Sequence, residues 1–198
     1  MSNLNANPNR LQGKDLINVG IFTAIYFVIV LVVAMLSFIP VFLPLLAIIV
    51  PLVGGIPFML FLTKVNKFGM ILIMSVIMGI MMLLTGMGIY PLIVSIVTGL
   101  IAEFVYKSGN YKSAFKAVLT YAVFSMWLWG NYVLFFTNRD KYFESRKNFG
   151  QDYIDALEKL MPMWMFPTLL VCAFVMGLVG GFIGKSMLKK HFEKAGIA

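Results

Sequence analysis

The sequence predicts an all-α integral membrane protein of six transmembrane helices with both termini on the cytoplasmic side. Three observations carry that prediction. Hydrophobic residues make up 61% of the 198 positions and charged residues 12%, with a mean hydropathy of +0.91, whereas about a quarter of a soluble domain is charged. The charged residues are confined to gaps between four runs that contain none, 16–63, 68–102, 117–138 and 160–184. Lysine and arginine, finally, collect in alternate gaps.

Residues 1–15 form a polar, Asn-rich tail, MSNLNANPNRLQGKD. It lacks the basic, apolar and small-residue order of a cleavable signal, so the first span is expected to persist in the mature protein. The run 16–63 would extend about 72 Å as one helix, against a hydrocarbon core of roughly 30 Å. It must turn within itself, and Pro40 and Pro44 supply the turn, because proline lacks the backbone N–H and disfavours helix in the residue before it. Spans of 16–38 and 43–63 result. Pro51, Pro57 and Gly54-Gly55 remain inside the second and predict a broken helix there, which a membrane tolerates only where the break packs on protein or lines a cavity. The second run bends at Thr85-Gly86-Met87-Gly88-Ile89-Tyr90-Pro91, giving spans of 69–86 and 90–107. The last two runs hold one span each, 114–137 and 161–187. A single transmembrane domain thus covers 16–188, and a basic tail covers 189–198.

The net charge of +8 reports membrane orientation rather than an affinity for nucleic acid. Arg10 and Lys14 precede span one, Lys64 and Lys67 join spans two and three, and Lys107, Lys112 and Lys116 join four and five. Lys185, Lys189, Lys190 and Lys194 follow span six. The positive-inside rule makes all of these cytoplasmic. The link at about 138–160 balances Arg139, Lys141, Arg146, Lys147 and Lys159 against Asp140, Glu144, Asp152, Asp155 and Glu158, and alternation puts it outside. Its second half places Tyr153, Ile154, Leu157 and Met161 on one helical face. That pattern fits an amphipathic helix over the outer mouth, with an ordinary solvated linker as the alternative.

Several chemistries are excluded. Gly180-Gly181-Phe182-Ile183-Gly184-Lys185-Ser186 ends like a phosphate-binding loop, but that motif needs glycine where Val179 stands, and it follows a strand. The sole histidine, His191, lies in the basic tail, and the single cysteine, Cys172, reads as small apolar packing. Neither a metal cluster nor a base paired with a nucleophile can be assembled from these residues, so no cofactor is implied and the chain is not expected to be an enzyme. Glu103 is the one acidic residue inside a span, where a carboxylate is costly and by default a functional candidate. An ion pair with Lys107 one turn later, or with Lys112 or Lys116 across the link, is the bland account. Partner contact and proton coupling are the others.

Small residues mark two helix faces. Gly20 and Ala24 share one in span one, while Gly177, Gly180, Gly181 and Gly184 form two interleaved GxxxG pairs in span six, a spacing that lets helices approach closely in lipid. Toward the outer side, Trp127 and Asn131 lie one turn apart on span five. Met87 and Tyr90 at the third bend, and Trp164 with Thr168 on span six, lie at similar depth. Aromatic walls with a few polar anchors suit a small-molecule site. The competing account is an interfacial aromatic belt, which Trp129 and Trp164 could join and Asn131 could not.

Six stretches in order, DLINVGIFTAIYF (15–27), FLTKVNKFG (61–69), TGMGIYPL (85–92), AEFVYKSGNYKS (102–113), YAVFSMW (121–127) and GKSMLKKHFEKAGIA (184–198), make nearly the whole chain resemble the Trep_Strep (MptD) family, assigned as S components of energy-coupling factor (ECF) transporters. That resemblance implies an ECF S-component-like bundle in a bacterial plasma membrane, docking on a transmembrane coupling protein and two ATP-binding subunits. It places the coupling-protein contact on Gly20 and Ala24, through an Ala-xxx-Ala-like motif. Substrate would sit under outer loops one, three and five, against spans four to six, with the proline-rich hairpin as part of the cap. The substrate so implied is a vitamin-like micronutrient, or haem with Met87 as a soft ligand. Relatives often carry Gly-His-Gly where this chain has Gly86-Met87-Gly88, so a histidine-based role does not carry over. The rival from another class is a membrane assembly subunit without a small-molecule ligand.

Overall fold

A computed structural model describes residues 10–144 and 146–194. The first nine residues of the polar tail and residues 195–198 of the basic tail lie outside the described residues. No strand occurs among the described residues, and the chain is all-α. Helix α1 (Gly13–Ala34) runs into a 3-10 turn, Met35–Phe38, and α2 (Phe42–Leu62) returns from it. Next come α3 (Met70–Leu84) and α4 (Tyr90–Lys107). Helix α5 (Ala114–Ser125), a 3-10 turn at Met126–Trp129 and α6 (Gly130–Thr137) form one 24-residue span. A capping segment follows, made of α7 (Arg139–Glu144), a 3-10 turn at Lys147–Phe149 and α8 (Gln151–Leu160). Helix α9 (Met165–Met187) and the short α10 (Lys189–Lys194) complete the chain.

Five of these segments are long and apolar enough to cross a membrane. The expected third span is shorter than its apolar run: α3 has 15 residues, about 22 Å of helix against a core of roughly 30 Å. Gly86 and Gly88, both at positive φ, end it early, in a conformation that glycine adopts without strain.

The six apolar segments close into a ring. Helix α1 packs on α2, α2 on α9, α9 on α5, α5 on α4, α4 on α3, and α3 returns to α1, with α2·α9 and α3·α4 the most extensive pairs. The centre is aromatic: Phe58 lies 4.3 Å from Phe124 between ring centroids, and Tyr26 meets Phe124 edge-on at 5.5 Å. Close approach around the ring depends on glycine. A Cβ at Gly180 would strike the Pro51 carbonyl, and one at Gly184 would come 2.7 Å from the Gly55 carbonyl, whereas one at Gly177 or Gly181 would meet Ser125 or Val118. The two interleaved GxxxG pairs of α9 therefore serve two neighbours, α2 and α5.

The break expected in the second span is absent. Helix α2 runs through Pro51 and Pro57, both buried inside the ring, where a transmembrane helix tolerates proline. The Tyr121 hydroxyl donates to the Pro51 carbonyl at 2.7 Å, and Gly54 and Gly55 leave room for Tyr26 and for the backbone of α9. Pro40 and Pro44 do flank the start of α2, at the turn between the first two helices.

The expected Glu103–Lys107 ion pair is also replaced. Glu103 is fully buried, and its Oε2 accepts from the N–H groups of Ile71 and Leu72 at 2.9 and 3.1 Å. It thus caps α3 from the neighbouring helix, satisfying N–H groups that a helix start leaves without internal partners. The Lys107 ammonium sits instead over the Phe68 ring at 5.0 Å. At the same end of the bundle, Lys67 bridges to Asp15 at 2.7 Å, and Asp15 also accepts from the Gln12 N–H. These contacts pin the start of α1 to the α2–α3 link.

Candidate functional site

A cavity of about 340 Å³ opens at the end of the ring opposite the lysine-bearing links. It is framed by the segments that are not regular α-helix: the Met35–Phe38 turn, the bend after α3, the Met126–Trp129 turn inside span five, and the capping segment. Three-residue-per-turn winding within a span often marks a functional position. Here it carries Trp127 and Leu128 into the cavity wall.

Trp127 is almost fully buried, and its indole N–H points to the Tyr26 hydroxyl at 3.4 Å. Tyr132 donates its hydroxyl to the Leu43 carbonyl at 3.0 Å, tying α6 to the start of α2. Asn131 donates through Nδ2 to the Leu128 carbonyl at 3.1 Å, while its Oδ1 is buried without a partner. Val50, Leu46, Met35 and Met82 make the adjoining wall apolar.

The capping segment closes the cavity with aromatic side chains. The Tyr153 hydroxyl donates to the Ser37 carbonyl at 2.7 Å, and Phe149 lies between Phe38 and Tyr153, with centroids 5.8 and 4.9 Å away. Burial pushes the Tyr153 phenol up to about 12 and raises that of Tyr142, so both remain protonated at neutral pH. Arg146 stands over the Tyr142 ring at 3.9 Å and donates to the Tyr142 carbonyl and, at 3.5 Å, to Met87 Sδ. Leu157, from the apolar face of α8, and Met161, the residue just after the helix, are fully buried.

Of the residues expected at a site, Met87, Trp127 and Asn131 line this cavity and Tyr90, Trp164 and Thr168 do not. Tyr90 opens α4, where its carbonyl and the adjacent Pro91 pack on Gly130. Trp164 is 65% exposed, and Thr168 turns its hydroxyl back to the Trp164 carbonyl. Trp129 does not point freely into lipid: its ring stacks on Phe166 at 4.5 Å and its N–H donates to the Phe166 carbonyl at 2.8 Å. Tyr142 and Phe149 escaped the sequence reading, which counted Arg146 only as a charge and placed Tyr153 on the apolar face of the capping helix without assigning it to the site. The signal for them was a cluster of aromatic residues in an otherwise charged link. Gly20 and Ala24 are exposed on α1, and a Cβ at Gly20 would meet nothing within 4 Å.

A ring of apolar helices around a capped cavity defines a multi-pass integral membrane protein. A family model described as "Hypothetical bacterial integral membrane protein (Trep_Strep)" matches residues 13–194, and the chain belongs to that family. No curated protein and no solved structure matches it.

Proposed function

We propose that the protein is the substrate-capturing S component of an ECF-type importer for a vitamin-like or other small micronutrient. The capped cavity carries this reading. Its volume falls at the small end of the roughly 300–1,000 Å³ usual for ligand pockets, and an apolar wall with few polar groups is the usual lining. Met87 is already engaged by Arg146, and the space is too small to enclose a macrocycle, so haem is the poorer candidate.

In this reading the cavity faces outward and the lysine-bearing links face the cytoplasm, by the positive-inside rule. The chain is a transporter subunit rather than an enzyme. With Val179 in place of the motif glycine, it draws its energy from two partner ATPases through a coupling protein. The open face of α1 at Gly20 and Ala24 supports that contact, because small exposed residues let a partner helix come close without displacing internal packing.

Purification from the native membrane tests the proposal. The expected result is a complex with one coupling protein and two ATPases, and a small molecule retained by the isolated subunit in native mass spectrometry. An assembly with unrelated membrane proteins and no ligand would instead establish a scaffold.

A further inference from the structure

We infer that the captured molecule is a compact aromatic compound, not a cation, that donates a hydrogen bond, through a ring N–H or O–H, to Oδ1 of Asn131. The inference rests on the reading of the cavity as a substrate site and adds the chemistry that this site selects.

Among the described residues, three buried side-chain polar atoms lack a hydrogen-bond partner: Glu103 Oε1, Tyr111 Oη and Asn131 Oδ1. Only Asn131 belongs to the cavity wall. Its amide orientation is set by the Nδ2–H bond to the Leu128 carbonyl, since the flipped amide would turn one oxygen toward another. The group left over is therefore an acceptor, and a buried acceptor without a donor costs more than a satisfied one returns. A ligand donor removes that cost.

The neighbouring groups narrow the class. The other polar groups of the wall are largely engaged within the protein: the Tyr132 hydroxyl by Leu43, the Tyr153 hydroxyl by Ser37 and the Trp127 N–H by Tyr26. Arg146 also lines the wall, held over the Tyr142 ring and donating to the Tyr142 carbonyl and Met87 Sδ, so the buried acceptor left for a ligand to satisfy is that of Asn131. No carboxylate lines the cavity among the described residues, so a cationic ligand would enter without a counter-charge, at a desolvation cost that an apolar wall does not return. Trp127, Phe38 and Phe149 offer ring faces and edges, which favour a flat aromatic partner by offset or edge contacts.

A matched pair of probes isolates the hydrogen bond. Indole and indene have nearly the same shape, and indene replaces the N–H by CH2. Binding of each to the purified full chain in nanodiscs is measured by ligand-observed NMR, for the wild type, Asn131→Leu and Asn131→Asp. The wild type is expected to prefer indole by about tenfold, the scale of one hydrogen bond to a buried acceptor. Asn131→Leu should bind both probes alike, and Asn131→Asp, which keeps an acceptor, should retain the preference. Equal binding of the two probes by the wild type, as water already serving Oδ1 would produce, overturns the inference and leaves the capture reading standing. So does a preference that persists in Asn131→Leu. If the wild type binds neither probe and retains no small molecule in native mass spectrometry, the capture reading falls and the inference with it.

Discussion

The Tyr153 hydroxyl donates a 2.7 Å hydrogen bond to the Ser37 carbonyl, 116 residues earlier in the chain. Phe149 reinforces this latch by packing on Phe38 and Tyr153 together. One hydrogen bond and two ring contacts thus hold the capping segment on the turn between the first two helices. Removing the bond by Tyr153→Phe is expected to speed amide exchange across residues 147–160 by about fivefold, corresponding to roughly 1 kcal/mol of local opening. Phe149→Ala should do at least as much. Hydrogen-exchange mass spectrometry checks both, and unchanged exchange in that segment would show that the cap is held by other contacts.

The latch also carries a pH expectation. Its phenol ionises at about 12 in the folded protein because burial disfavours the phenolate, against about 10 for an unperturbed tyrosine. A group raised in this way contributes its stabilisation fully below pH 10 and loses it as pH climbs toward 12. Exchange of the capping segment, corrected for the intrinsic rate, should therefore be flat from pH 6 to 9. A titration within that window would assign the latch to another group.

Glu103 separates an electrostatic cap from a proton carrier. Glu103→Leu leaves the Ile71 and Leu72 N–H groups buried without an acceptor, at a cost of about 1–3 kcal/mol. Glu103→Gln keeps a carbonyl oxygen for the same donors. Thermal unfolding in detergent is expected to rank wild type above Gln and Gln above Leu, and in the proposed importer uptake should survive Glu103→Gln. Abolished uptake with unchanged stability in the Gln variant would make Glu103 a proton-coupling residue instead.

If the proposed importer assembles through α1, the glycines divide into packing and docking sets. A Cβ at Gly180 would collide with the backbone of α2, while one at Gly20 would meet nothing. Gly180→Ala should therefore reduce monodisperse yield sharply. Gly20→Leu should leave yield and ligand binding intact and, if the proposed coupling protein docks on this face, block uptake, because a partner helix could no longer approach. Fluorescence-detected gel filtration beside uptake distinguishes them. Loss of folding in Gly20→Leu would place that glycine inside the bundle of a larger assembly.

Hydropathy and charge made the helices legible, since both are local properties of the chain. The apolar face of α8, with Leu157 and the following Met161 buried, was legible in the same way from its spacing. The ring order was not, because it is set by contacts such as Gly55 against Gly180, which carry no mark of their partner. Glu103 was misassigned to Lys107 for a related reason: its donors are backbone N–H groups more than thirty residues away, and backbone groups have no sequence signature. The continuous course of α2 escaped because proline announces the N–H it removes, not the packing inside the ring that accommodates it. The site was half legible. Trp127 and Asn131 stood out as an indole and an amide inside an apolar span, whereas the cap aromatics were masked by the charges around them.

Trp129 tests the division between fold and site most directly. Regular helical geometry sets it roughly 160° from Trp127, a face open to lipid, where truncation would be harmless. The Met126–Trp129 segment winds as a 3-10 turn, at about three residues per turn, which brings the two rings to within roughly 120° and seats Trp129 against α9. There it both stacks on Phe166 and donates to the Phe166 carbonyl. Trp129→Ala is therefore expected to destabilise the protein by roughly 2 kcal/mol, less than the roughly 3–5 kcal/mol of a fully enclosed ring because Trp129 is only half-buried. Trp129→Phe, which keeps the stacking and loses the hydrogen bond, should cost about 1 kcal/mol. Neither should alter the preference for indole over indene in the fraction that remains folded, since Trp129 does not line the cavity. Unfolding midpoints and probe binding on the same samples decide it. An unchanged midpoint for Trp129→Ala would return this residue to the lipid interface, and a changed probe preference would extend the site to the α6–α9 contact.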